Sequence, residues 1–83
     1  MKQLLYFSAQ WCEPCKQLGP LMSELQSEGY AMQKIDVDSN PEMCQKYSVK
    51  NIPTVVLTVN GEDRSRKLGF NSKSTYIDMY NQN

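Results

Sequence analysis

The spacing of apolar side chains divides the first part of the chain into a strand and a helix. Residues 2–8 contain an apolar run without polar interruption, Leu4 to Phe7, which is typical of a strand buried on both faces of a sheet. From about residue 12 to residue 27, apolar residues recur at helical spacing and form one stripe. The members of this stripe are Leu18, Leu21, Met22 and Leu25. The chain is therefore expected to begin with a central strand followed by an amphipathic helix.

A second strand and a short helix are predicted next. Apolar residues between Met32 and Val37 indicate the strand. Asn40 and Pro41 are suited to the N-cap and the first position of a helix. Because strands that share a crossover helix run parallel, we expect the first two strands to be parallel neighbours.

The remaining residues predict a hairpin and a last helix. β-Branched residues at 54–59 indicate a buried strand, and Asn60-Gly61 indicates a type I′ turn. The polar stretch 63–68 then returns as an edge strand. Asn71 or Ser72 caps a helix whose inward residues are expected to be Tyr76, Ile77 and Tyr80, and residues 81–83 are expected to fray.

The fold class predicted from these elements is α/β, in the order β-α-β-α-β-β-α. A four-stranded mixed sheet would be flanked by helices, and residues 1–83 would form a single domain.

Charge and composition narrow the range of partners. Nine basic and nine acidic side chains give a formal net charge of zero, which argues against nucleic acid or an acidic membrane as the main partner. The first apolar run is too short for a signal sequence or a membrane span. Three cysteines, an odd number, argue against a secreted disulfide scaffold. We therefore expect a monomer in the reducing cytoplasm.

The most distinctive chemistry lies in Trp-Cys-Glu-Pro-Cys, residues 11–15, where the first helix is predicted to begin. A helix N-terminus carries partial positive charge and unpaired N–H groups, which favour a thiolate at Cys12. Cys15 lies one turn further on the same side and can attack back. Pro14 lies just inside the helix, where its missing N–H costs nothing.

Two other interpretations of the cysteine pair remain open. The pair could be structural, or it could be half of a zinc site. Zinc takes about four ligands, and with three cysteines and no histidine the chain would have to add a carboxylate. Thiol–disulfide chemistry is the favoured interpretation, and we expect no metal.

The chain resembles thioredoxins over nearly its whole length. The matching residues follow in chain order: Phe7, Ala9, Trp11, Cys12, Pro14, Cys15, Lys16, Leu18, Pro20, Lys34, Asp38, Asn40, Pro41, Tyr47, Val49, Ile52, Pro53, Thr54, Asn60, Gly61 and Gly69. The sequence begins at the residues that match the strand before the active site of full-length members, so we expect a shortened form that resembles the small archaeal and phage-encoded members. Glu13 replaces the usual Gly, Tyr6 replaces the usual buried Asp, and Ser8 replaces a frequent second Trp.

The resemblance implies a thioredoxin fold and a thiol–disulfide oxidoreductase that reduces protein disulfides. Cys12 would be the exposed nucleophile and Cys15 the buried resolving thiol, with their redox-active disulfide as the only cofactor. The Ile52-Pro53 bond would be cis and lie beside Cys12. Trp11, Ile52 and Gly69, together with Pro53 and Phe70, would form the substrate-docking surface. The electron donor would be a thioredoxin-reductase-like enzyme or glutathione.

Five residues are expected to tune the cysteines: Tyr6, Glu13, Pro14, Lys16 and Lys34. The Glu13 carboxylate disfavours the Cys12 thiolate, and the two lysines partly offset it. Tyr6 is expected to point toward the first helix and either donate a hydrogen bond to a sulfur or only fill volume, with its hydroxyl bonded elsewhere. The proton of Cys15 would then go to water, by way of Glu13 or Lys34, or to the departing substrate thiolate.

Further expectations concern Cys44 and the alternative functions. Cys44 is expected to be a small buried hydrophobic residue, with a regulatory thiol as the alternative. A glutaredoxin using glutathione directly is the first alternative, although Asn51-Ile52-Pro53 and Gly69-Phe70 stand where such proteins usually carry Thr-Val-Pro and a Gly-Gly pair. The second alternative is a non-enzymatic binding module with a thioredoxin fold in a larger complex.

Overall fold

The computed structural model describes residues 1–82 and contains the seven elements in the predicted order. They are β1 (Lys2–Ser8), α1 (Glu13–Ser27), β2 (Met32–Asp36), α2 (Pro41–Lys46), β3 (Thr54–Val59), β4 (Glu62–Leu68) and α3 (Lys73–Asn81). Of the residues expected to fray, Asn81 still belongs to α3 and Asn83 lies outside the described residues.

The four strands form one mixed sheet in the order β2-β1-β3-β4. β1 pairs parallel with β2, which places Tyr6 opposite Lys34 and Ser8 opposite Asp36. β3 pairs antiparallel with both β1 and β4. The connection from β3 to β4 is the predicted two-residue turn, in which both Asn60 and Gly61 have positive φ, 55° and 83°. The mixed sheet predicted from the sequence is confirmed.

β1 is apolar at every position from Leu4 to Phe7 because both faces of the sheet are covered. Side chains alternate along a strand, so Leu4 and Tyr6 pack on one face with the apolar stripe of α1 and with Tyr76 of α3. Leu5 and Phe7 pack on the other face with Tyr47, which follows α2. The two faces of β1 thus hold two separate hydrophobic clusters.

The inward side of α3 differs in part from the expectation. Tyr76 is fully buried as predicted, but Met79 is the second buried residue, whereas Ile77 and Tyr80 are only partly buried. Ser72 is the N-cap, and its hydroxyl accepts a hydrogen bond from the N–H of Thr75 at 3.3 Å. Cys44 of α2 was expected to be buried and is half-buried, because α2 as a whole has no fully buried residue.

Candidate active site

Cys12 and Cys15 form a disulfide at the start of α1. Cys12 is the N-cap residue, with extended backbone (φ −92°, ψ 111°), and its Sγ accepts a hydrogen bond from the N–H of Cys15 at 3.3 Å. Their Cα atoms are 5.2 Å apart, within the usual range for a disulfide. Pro14 lies in the first turn, as predicted. The first turn of the helix therefore directs the N–H of Cys15 at the sulfur of Cys12.

The expected exposure of Cys12 is wrong for this disulfide form. Cys12 is 5% exposed and Cys15 is 4% exposed, so the two sulfurs are buried to nearly the same extent. The cause is tertiary, because Ala9 and, less completely buried, Val37 and Ile52 pack around the pair. The positions of the two cysteines in the helix do not show which of them is more exposed, because residues from loops distant in sequence cover both sulfurs.

Trp11 lies directly before the disulfide and is 66% exposed. Its indole N–H donates a hydrogen bond to Oδ2 of Asp38 at 2.9 Å, which fixes the ring from the turn after β2. The sequence places Asp38 only in a turn, and the two residues are 27 positions apart. No regular sequence spacing connects the two residues, so the sequence alone does not predict this contact.

The loop before β3 lies on another side of the disulfide. The Ile52-Pro53 bond is cis, as the resemblance implies, and Ile52 packs against the cluster that contains Cys12. Gly69 has a positive φ of 74°, and its N–H donates to the carbonyl of Pro53 at 2.9 Å. Phe70, the next residue, is 52% exposed. The structure thus places Ile52 against the disulfide, next to which Trp11 lies in sequence, and the Gly69–Pro53 hydrogen bond joins a third segment to the loop of Ile52.

The charged residues predicted to tune the cysteines form an ion pair at the helix surface and line a cleft beside Cys15, and Lys16 takes part in both. Glu13 and Lys16 form an ion pair of 3.1 Å in the first turn of α1, with side chains that are 80% and 57% exposed. Lys34, on β2, lies on the Tyr6 side of the sheet, where it lines a cleft that also contains Cys15 and Lys16. The charge of Glu13 is therefore partly neutralised by Lys16 at the helix surface.

Tyr6 points toward α1 as predicted, and of the two alternatives stated for its hydroxyl the structure shows the second, a bond to an atom other than a sulfur. The hydroxyl donates a hydrogen bond to the backbone carbonyl of Cys15 at 2.8 Å, rather than to a sulfur. Burial raises the pKa of Tyr6 above its ordinary value of 10.0, against an opposing hydrogen bond with Ser8. Tyr6 therefore stays protonated at neutral pH and connects β1 to the first turn of α1.

Two further observations concern other kinds of site. Residues 1–82 contain no group of three or more metal-ligating side chains arranged to hold a metal ion. Within the same residues, none of the helices is both long enough and apolar enough to span a bilayer. Burial raises the pKa of the Cys44 thiol, which lies apart from the disulfide in the cluster on the α2 side.

Comparison with known proteins agrees with this geometry. The thioredoxin family model matches residues 1–82. The thioredoxin of Rickettsia bellii is 37% identical over 83 residues, covering 96% of this chain and 79% of the relative. The thioredoxin of Staphylococcus aureus is 39% identical over 80 residues, covering 93% and 77%. Among solved structures, a mutant thioredoxin from Halobacterium salinarum has a TM-score of 0.89 at 34% identity, covering 98% of this chain and 73% of that one.

The cysteine pair at the helix start and the mixed sheet behind it define a thiol–disulfide oxidoreductase. The chain belongs to the thioredoxin family and has the thioredoxin fold, here with a four-stranded sheet and three helices in the described residues. The resemblance, the fold class and the reaction class inferred from the sequence are confirmed. Proteins of this family act on protein disulfides and are reduced by a partner reductase.

Proposed function

We propose that this chain, as one domain over residues 1–83, reduces protein disulfides through a dithiol–disulfide cycle of Cys12 and Cys15. Cys12 is the nucleophile and Cys15 is the resolving thiol. The cycle needs no cofactor other than this cysteine pair.

The hydrogen bond from the Cys15 N–H to the Cys12 Sγ carries the assignment of the nucleophile. In the reduced protein the same N–H and the helix N-terminus stabilise a thiolate at Cys12, and a helix terminus contributes about 0.3–1 kcal/mol. A hydrogen bond to a charged acceptor contributes about 1.5–3 kcal/mol more. Cys15 lies inside the helix, and within residues 1–82 no N–H donates a hydrogen bond to its sulfur. The thiolate is the form that attacks disulfides, so Cys12 attacks first.

The reaction then proceeds by two exchanges. The Cys12 thiolate attacks one sulfur of the substrate disulfide, forms a mixed disulfide and releases the other sulfur as a thiolate. Cys15 loses its proton and attacks the Cys12 sulfur, which breaks the mixed disulfide and releases the second substrate thiolate. The cysteine pair is oxidised by two electrons and the substrate is reduced by two.

Substrate docking is supported by the exposed surface around the pair. Trp11, fixed by Asp38, and Phe70 offer exposed aromatic area. Within residues 1–82, neither the N–H nor the C=O of Ile52 has a hydrogen-bond partner, so both can pair with an extended substrate segment. The Gly69–Pro53 hydrogen bond holds this loop in place.

The partners we propose are protein disulfides as substrates and a thioredoxin-reductase-like enzyme as electron donor, with glutathione as the alternative donor. We place the protein in the cytoplasm as a monomer that acts without nucleic acid or a membrane. Offering the oxidised protein each donor in turn, with Trp11 fluorescence as the readout of reduction, distinguishes the two donors.

Trapping tests the assignment of the two cysteines. Cys15→Ser should accumulate covalent mixed disulfides through Cys12, because attack proceeds and resolution cannot. Cys12→Ser should abolish insulin-disulfide reduction, and Cys44→Ser, the matched control, should retain it. Alkylation of the reduced protein at neutral pH should modify Cys12 first, and preferential modification of Cys15 would overturn the assignment. A biological role that survives loss of both Cys12 and Cys15 would favour a binding module instead.

A further inference from the structure

A cleft of about 170 Å³ lies on the side of Cys15 that faces β1 and β2. Its lining includes Cys15 together with four side chains that can carry or exchange a proton: Tyr6, Lys16, Lys34 and Asp36. A water molecule occupies about 30 Å³ in the liquid, so the cleft has room for water beside the resolving cysteine. The cleft follows from the parallel register, which places Asp36 opposite Ser8 at the end of β1 nearest the disulfide.

Of these four side chains, one is able to accept a proton at neutral pH. Burial raises the pKa of Tyr6, and its hydroxyl already donates to the Cys15 carbonyl, so it cannot take a proton at neutral pH. Lysine side chains are ammonium ions at that pH and have no acceptor. Asp36 is the carboxylate among the described residues that line the cleft. The sequence pointed to Glu13 or Lys34 instead, but Glu13 projects from the surface and is paired with Lys16.

Hydrogen bonds hold the side chain and the backbone of Asp36 in place, and they occupy one of its two carboxylate oxygens. Oδ1 accepts the N–H of Asp38 at 2.9 Å, and Oδ2 has no hydrogen-bond partner within residues 1–82. The carbonyl of Asp36 accepts the side-chain amide of Asn40 at 3.0 Å, which holds the backbone as well. A carboxylate held in this way keeps one oxygen available for water in the cleft.

We propose that Asp36 accepts, through water in this cleft, the proton that Cys15 loses during resolution of the mixed disulfide; this rests on the cysteine roles given under Proposed function. The Cys15 S–H bond breaks and its proton passes to water, which gives a proton to the Asp36 carboxylate. The sulfur electron pair forms the Cys15–Cys12 bond, and the Cys12–substrate bond breaks. The electron pair of that bond leaves on the substrate sulfur as a thiolate. Asp36 then releases this proton to solvent, and when the disulfide is reduced again Cys15 takes up a proton from water in the cleft.

The test separates attack from resolution with a chromogenic aromatic disulfide, dithiobis-nitrobenzoate, in rapid mixing with the reduced protein. Attack by Cys12 releases the first coloured thiolate, and attack by Cys15 releases the second. Asp36→Asn keeps the acceptor for the Asp38 N–H but removes the base. We expect the second phase to slow by about tenfold or more near pH 6–7. A positioned general base typically contributes about 100-fold to 10,000-fold, so tenfold is a low threshold for this role. The difference should fade above about pH 9, where a free thiol ionises unaided.

A purely electrostatic role of Asp36 predicts the opposite sign. Removing a negative charge near Cys15 favours its thiolate, so resolution would become faster at neutral pH. Glu42→Gln is the matched control, since Glu42 is an exposed carboxylate on α2, away from the cleft, and should leave both phases unchanged. A faster or unchanged second phase in Asp36→Asn overturns the proposal, as does an equal slowing of both phases at every pH.

Chemical rescue provides a second variant. Asp36→Ala should show the same slow second phase, and added formate should restore it in a saturable manner, whereas sodium chloride at equal ionic strength should not. Equal effects of the two salts would count against a base at this position. If the first phase were absent from the unmodified protein, the assignment of Cys12 itself would fail. A normal first phase with a second phase insensitive to Asp36 refutes only the present inference.

Discussion

The hydroxyl of Tyr6 allows a direct test of how β1 is connected to the active-site helix. Tyr6→Phe keeps the buried ring and removes only the hydrogen bond to the Cys15 carbonyl. Because ring packing with α1 is retained, the change should affect stability through one polar contact and should not create a large cavity.

The expected loss follows from the burial of this contact. A neutral hydrogen bond contributes about 0.5–1.5 kcal/mol net to folding stability. For a domain of this size, each 1 kcal/mol lowers Tm by roughly 4–8 °C. We therefore expect Tyr6→Phe to lower the free energy of unfolding by about 1 kcal/mol and Tm by about 4–8 °C. The pH dependence of Cys12 alkylation should be unchanged, since the hydroxyl does not contact either sulfur.

Denaturant titration and calorimetry of the reduced protein measure the stability, and alkylation rates across pH measure the thiolate. Tyr47→Phe is a matched control, since its hydroxyl donates to the Gly61 carbonyl at 3.1 Å, far from the cysteines in sequence. A shift in thiolate formation in Tyr6→Phe but not in Tyr47→Phe would show that the Tyr6 hydroxyl bonds a sulfur. Undiminished stability would show that the contact to the Cys15 carbonyl contributes nothing. Either result would refute the role given to Tyr6.

Three further substitutions have defined outcomes. Lys73→Met removes ion pairs with Glu24 of α1 and with Glu28, the residue that follows α1. Lys73 lowers the pKa of Glu24, so the stabilisation of the folded state by this pair is present above the unfolded-state pKa of Glu24 and is lost as the pH falls through the lower folded-state value. The variant should therefore melt at a lower temperature than the unmodified protein at neutral pH and low salt, with the difference vanishing in acid and in high salt; a difference that persists in acid would contradict this. Asp38→Ala frees the Trp11 indole and should raise KM for a protein disulfide about two- to fivefold, equivalent to about 0.5–1 kcal/mol, with little change in kcat; an unchanged KM would exclude the orienting role. Glu13→Lys favours the ionised, reduced form and should make the reduction potential less negative in equilibration with glutathione, and an unchanged or more negative potential would count against it.

The amino-acid sequence determined the features that depend on local periodicity and capping. The uninterrupted apolar run of β1 predicts a central strand, because only a strand covered on both faces has no polar side. The turn at Asn60-Gly61 and the start of α1 beside Cys12 follow from backbone preferences of a few adjacent residues. Pairing of Cys12 with Cys15 is similarly local, since one helical turn separates them.

Tertiary structure decided what surrounds the two sulfurs. Burial of Cys12 depends on Ile52, which is 40 positions away in the sequence, and the orientation of Trp11 depends on Asp38. The partner of the Tyr6 hydroxyl and the placement of Asp36 beside Cys15 depend on the register between β1 and β2 and on the position of α1 above them. Local periodicity specifies which face of an element is buried. Which atoms meet across two faces is set by the packing of whole elements, and this packing depends on all the contacts of the sheet together.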